Sequence, residues 1–134
     1  MKAALGALLL LMAGCATAPP SCPIGTAPAT IAEAYFGRNV KSRAPVTEAE
    51  WARFMAEIVT PAFPDGLTVL DGMGQWRNAA GQISREDSKA LLLVLPAQDQ
   101  AAASARLAPV AAAWKARFAQ ESVLTVFRAG CAGF

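Results

Sequence analysis

From Ile31 onward the apolar positions follow two alternating rhythms, and the alternation predicts the order of the elements. Residues Ile31 to Asn39 (IAEAYFGRN) carry aliphatic and aromatic positions as far as Gly37 and predict a first strand. A helix start follows with three agreeing signals: Thr47 as N-cap, Glu50 three residues on to complete a capping box, and Val46 placed to staple against Trp51. Trp51, Phe54, Met55, Ile58 and Val59 then fall on one helical stripe, with Glu50, Arg53 and Glu57 on the wet side. Pro61 is expected to stop this helix.

Phe63-Pro64-Asp65-Gly66 is turn chemistry leading into a second strand, Leu67 to Trp76, whose Gly72 and Gly74 suggest a bulge or a close backbone approach. Arg77 to Gly81 supplies a hairpin loop, and the chain returns through Ile83 to Leu95. The second half of that strand, Ala90 to Leu95, is apolar at both parities, so both of its faces are expected to be covered. After Pro96, residues 97–120 space Leu107, Val110, Trp114 and Phe118 along one helical face. Pro109, which lacks the amide that would bond to Ala105, is expected to kink or split that helix. Ser122 to Ala129 is a final strand. The order β-α-β-β-α-β predicts an α+β, ferredoxin-like fold over residues 31–134, an antiparallel sheet with both helices on one face. In strand order 4-1-3-2 the first strand lies beside the last.

Ahead of this domain, Met1-Lys2 precedes a 12-residue apolar run, Ala3 to Gly14, which reads as an export signal. Twelve helical residues cover roughly 18 Å, short of the ~30 Å hydrocarbon core, which argues against a permanent span. Leu11-Met12-Ala13-Gly14-Cys15 resembles a bacterial lipobox, with Met12 where Leu is usual, and predicts cleavage after residue 14 and lipidation of Cys15. The rival site, Ala16-Thr17-Ala18, would leave Pro19 as the first mature residue. Residues 15–30 are rich in Ala, Pro and Thr, carry no charge, and read as a lipid-anchored tether. The residues after Cys15 lack the Asp that retains lipoproteins in the inner membrane, so in a Gram-negative cell the expected address is the outer membrane, facing the periplasm. With Cys15 lipidated, Cys22 and Cys131 remain as an even pair in an oxidising compartment, and a disulfide is expected; the other reading is two unrelated buried thiols.

Composition narrows the chemistry. The chain has 134 residues and no His, which removes Ser-His and Cys-His nucleophiles and the commonest metal ligand. The three cysteines match no zinc spacing, so neither a metal site nor a cofactor is expected. A net charge of +2 with 16% charged residues argues against a nucleic-acid surface. Gly72-Met73-Gly74 is too short for a phosphate loop.

Four stretches, YFGRN at 35–39, TEAEWARF at 47–54, VTPAFPDGLTVLDGMGQWR at 59–77 and SREDSK at 84–89, together resemble the bacterial family called domain of unknown function 3574. The resemblance covers roughly residues 31–129. It implies a small exported or lipid-anchored protein and carries over no catalytic residue.

Polar positions inside otherwise apolar strands mark the candidate site: Tyr35 and Arg38 at the end of the first strand, Asp71, Gln75 and Arg77 on the second, Arg85, Glu86, Ser88 and Lys89 on the third. A hairpin turning near Ala79-Ala80 puts Asp71 opposite about Ser88 and Gln75 opposite about Ser84, with Arg85 and Lys89 diagonal to them. One reading is cross-strand ion pairing on a solvated edge. A sharper reading is a site for an anionic small molecule or a peptide terminus, with Arg38, Arg77 or Arg85 as bidentate donors. A carboxylate pair of Asp71 and Glu86 is the weaker, enzymatic option. Leu92, Val94, Leu124 and Val126 load the second sheet face with apolar side chains. That face needs a cover, and the expected one is another copy, as in dimeric α+β barrels, some of which are cofactor-free oxygenases. Two functions follow as expectations: a lipid-anchored envelope protein whose domain binds a ligand or partner without catalysis, and a small enzyme of the α+β-barrel kind using Tyr35, Asp71 or Glu86 as acid or base.

Overall fold

The computed structural model of the protein describes residues 21–77 and 80–134. The expected signal segment, the lipidation site at Cys15 and the first part of the tether lie outside the described residues, as do positions 78 and 79 of the hairpin loop. Four strands, β1 (Ala27–Gly37), β2 (Thr68–Arg77), β3 (Ile83–Pro96) and β4 (Leu124–Ala132), form one antiparallel sheet in the order β2-β3-β1-β4. With two helical segments between strands, the fold is α+β.

β1 begins at Ala27, ahead of the predicted Ile31, so the last residues of the expected tether are strand. Pairing causes the extension: Ala27 and Pro28 stand opposite Ala132 and Cys131, and β4 likewise runs past its predicted end at Ala129. Ala29 and Thr30 are buried there, and the Thr30 hydroxyl donates to the Gln98 carbonyl at 2.7 Å. The longer pairing also brings Cys22 to Cys131, and the two form a disulfide with a Cα–Cα distance of 5.6 Å.

The first helix starts as its sequence dictates. Thr47 Oγ1 accepts from the Glu50 amide at 3.2 Å, and the Glu50 carboxylate accepts from the Thr47 amide at 2.8 Å. It does not stop at Pro61. Helix α1 (Glu48–Phe54) passes into a π-helical stretch, Met55–Val59, and ends in a short α2 (Thr60–Ala62). The Thr60 amide bonds to the Met55 carbonyl, five residues back. A proline ring crowds the carbonyl of the preceding turn, and the wider π turn just ahead accommodates Pro61 inside the helix. In α3 (Gln100–Phe118) Pro109 lies on the exposed side and does not split the helix.

Both helices pack on one sheet face. Phe36 of β1, Trp51 and Phe54 of α1, and Trp114 and Phe118 of α3 form an aromatic core, with Trp114 5.0 Å from Phe54 and 4.4 Å from Phe118 between ring centroids. Leu91, Leu93 and Leu95 of β3 complete it. Leu92 and Val94 point the other way and are only half-buried, so among the described residues β3 is covered on one face and not on two. The β2–β3 register is unbroken from Thr68↔Leu92 to Arg77↔Ile83, which excludes the bulge suggested at Gly72 and Gly74. Gly72 serves a close approach instead: a Cβ there would meet Ser88 Oγ at 3.3 Å.

Candidate functional site

Lys89 is the unusual residue of β3. It shares its parity with Leu91, Leu93 and Leu95, so the strand that buries them turns the lysine stem inward as well, and only 6% of its side chain is exposed. Two carboxylates from different elements meet its ammonium group. Asp71, directly opposite on β2, accepts from Nζ, and Glu48 in the first turn of α1 accepts at 2.9 Å. Arg38, just past the end of β1, binds the second oxygen of Glu48 at 2.5 Å and donates its Nε to the Val46 carbonyl at 2.6 Å. The backbone holds this corner closed, with the Val46 amide on the Arg38 carbonyl and the Arg38 amide on the Asp87 carbonyl.

Arg38, Glu48 and Asp71 border an open cleft of about 440 Å³, with Gly72, Met73, Asp87 and Ser88 around it, and the buried Lys89 reaches it only through its two carboxylates. Its cations are turned inward and its anions outward: the Arg38 and Lys89 side chains are 15% and 6% exposed, Glu48 and Asp71 65% and 81%. Hydrogen bonds to Asp71 and then to Glu48 hold the Lys89 ammonium above the ordinary lysine range. The Lys89 hydrogen bond, joined by the charge of Arg38, holds the Glu48 carboxyl below the ordinary carboxylate range.

Of the residues singled out in the sequence, Arg38, Asp71 and Ser88 line this cleft, and Lys89 holds its two carboxylates. Gln75 and Arg85 lie opposite each other farther along the hairpin, and Arg77 donates to the Gly81 carbonyl at 2.7 Å. Tyr35 and Glu86 are on the opposite sheet face. The Tyr35 hydroxyl donates to Glu33 at 2.5 Å, and Glu33 also accepts from Arg128. Glu86 accepts from the Asn39 amide at 3.1 Å and lies over Gly37, where a Cβ would come within 2.6 Å of the carboxylate. Asp71 and Glu86 therefore do not form the carboxylate pair considered above. The register is one residue away from the expected one, pairing Asp71 with Lys89 and Gln75 with Arg85; a slip of one residue moves a side chain to the other face.

Sequence reasoning passed over Glu48 and left Lys89 as a diagonal neighbour. The signal for Lys89 was its alternation with the three inward leucines. Glu48 carries no comparable signal, since an acid in a first helical turn is explained by the helix itself. Among the described residues no group of His, Cys, Asp and Glu is arranged to hold a metal ion, and no helix is long and apolar enough to cross a membrane.

Two solved structures have a similar fold. A phage SAM lyase in complex with S-methyl-5'-thioadenosine aligns with a TM-score of 0.61 and 14% identity, over 79% of this chain and 90% of that one. A phage SAM lyase in the apo state aligns with a TM-score of 0.58 and 13% identity, over 87% of this chain and 97% of that one. At such identities the likeness is one of fold alone. Among curated proteins none matches the sequence significantly. The match to a sequence family is broad, extending over residues 32–134, and the chain belongs to that family, Protein of unknown function (DUF3574).

Proposed function

We propose that the protein is an exported envelope lipoprotein, anchored through Cys15, whose ferredoxin-like domain binds a small ligand in the cleft lined by Arg38, Glu48 and Asp71 without turning it over. The strand order, read from the β4 edge as 4-1-3-2, supports the ferredoxin-like description. The apolar run before Cys15 supports export.

The observation that carries the binding role is the inward-facing Lys89, which fixes two outward-facing carboxylates from separate elements. The accessible charge of the cleft is negative, from Glu48, Asp71 and Asp87, whereas Arg38 is occupied by Val46 and Glu48. A ligand with a cationic group meets that rim better than the anion its arginines first suggest. The cleft is open to water, and Glu48 is held below the carboxylate range, opposite to the raised value that an acid catalyst needs. Thermal-shift measurements against amines, carboxylates and phosphates test this reading, because any ligand that binds the folded state stabilises it. Stabilisation by cationic ligands, lost in Asp71→Asn, is expected; stabilisation by anions alone would overturn it.

A second reading, a small cofactor-independent enzyme, is favoured by the fold likeness to a lyase. Its substrate class would be an adenosyl sulfonium, a cation. Incubation with S-adenosylmethionine followed by chromatography tests it: appearance of S-methyl-5'-thioadenosine above the buffer control supports the enzyme, and its absence leaves the binding role.

A further inference from the structure

Among the described residues none covers the sheet face away from the helices. Leu70, Trp76 and Leu124 are 53%, 45% and 62% exposed on it, at both outer strands, and half-buried Ile31, Leu92 and Val126 join them across the middle. Nine paired positions along β1 and four strands give this face a plan of roughly 19 by 30 Å, at about 4.8 Å between strands and 3.3 Å per residue.

We infer that this face packs against the same face of a second copy, sheet on sheet. Three observations select that occupant. The first is charge. Glu33 at the centre of the face accepts from both Tyr35 and Arg128, so its carboxylate is satisfied before any partner arrives, and a covering surface can be apolar. The second is what the face lacks. Its charged side chains are Glu33, Arg128 and Glu86, a net −1, and the one cation is taken by Glu33. A face that lies on an anionic lipid surface carries free Lys or Arg instead. The third is area. Two such faces remove on the order of 1,100 Å² in projection, and more once side-chain relief is included, which reaches the lower part of the range for stable interfaces. An isologous contact needs a patch that complements itself, and an apolar face with internally paired charge does so. The inference goes beyond the binding role of the cleft, which lies on the helix side of the sheet.

Sedimentation velocity of the full chain carrying Cys15→Ser, at tens of micromolar, tests it. Twice the monomer mass is expected, falling to the monomer mass in the Leu70→Asp and Leu124→Asp double variant while far-ultraviolet circular dichroism stays unchanged. Should the double variant fail to fold, Val126→Arg, which extends beside Arg128 from the same strand, serves as the second probe. A monomer before substitution overturns the inference, as does a dimer that survives both variants. Flotation with anionic phosphatidylglycerol vesicles, abolished by Leu124→Asp, would overturn it in favour of a lipid surface.

Discussion

Lys89 and Glu48 are 41 residues apart in the chain, and their side chains meet at 2.9 Å, tying the first turn of α1 to the third strand. Through Asp71 the same ammonium also reaches the outer strand β2. Both carboxylates are open to water and re-solvate readily if the lysine is removed, so the packed stem accounts for much of the loss. Lys89→Ala is expected to lower stability by about 1–3 kcal/mol, and Lys89→Met, which keeps the stem, by clearly less. Urea denaturation checks both; equal losses would assign the cost to the ion pairs alone.

The same contacts set the response to pH. Glu48 is held low by Lys89 and Arg38, Glu33 by Tyr35 and Arg128, and Glu50 by the Thr47 amide. A carboxyl whose folded value lies below its unfolded one stabilises the fold above the unfolded value and loses that contribution as pH falls through the folded one. Lys89 behaves oppositely: its raised value stabilises at neutral pH and below, and the contribution fades only as pH climbs beyond the ordinary lysine value of 10.5. Thermal unfolding is expected to level off between about pH 6 and 9 and to decline on both sides. Glu48→Gln should flatten the acid limb, and Lys89→Met the alkaline one.

Thr47→Ala removes the hydroxyl that receives the Glu50 amide, and is expected to cost about 1 kcal/mol. A shift of the urea midpoint with an unchanged slope is the signature of such a local loss.

The disulfide closes a loop with its ends 109 residues apart. Chain-entropy reasoning puts its contribution at about 4–5 kcal/mol. Intact mass under non-reducing conditions should be two hydrogens below that of the reduced protein, and the double variant Cys22→Ser, Cys131→Ser should unfold at markedly lower urea. Equal masses would remove the bridge.

Lipidation has its own test. Cys15→Ser is expected to release the protein from the membrane fraction or leave the precursor uncleaved; membrane attachment of a product cleaved to its mature mass contradicts the anchor.

How far the sequence was legible varies from element to element. The capping box of Thr47 and Glu50 was readable because all its partners are local, and the inward face of α3 because Leu107, Val110, Trp114 and Phe118 keep one period. The four strands were readable in kind and order. Their ends were not, since Ala27 to Thr30 and Gly130 to Ala132 are held in the sheet by each other across the whole chain. Pro61 stands one residue before the helix end at Ala62, and Pro109 leaves α3 unsplit; a proline's effect depends on the turn before it and on the side it faces, which no local pattern states. The hairpin register was missed by one residue, and that slip moved Lys89 from the diagonal to a position directly opposite Asp71. The site therefore became visible only when β2, β3 and α1 were assembled.

The sulfur bridge also sets a mechanical load path. A pull arriving through the leading end of the chain reaches Cys22 and is shared through the bridge with Cys131 of β4, which is paired with Pro28 of β1. Only six residues lie between Cys15 and Cys22, a leash of at most about 25 Å. With the proposed anchor at Cys15, such a leash would keep the domain close to the bilayer, and a pull on it would load the paired ends of β1 and β4 together.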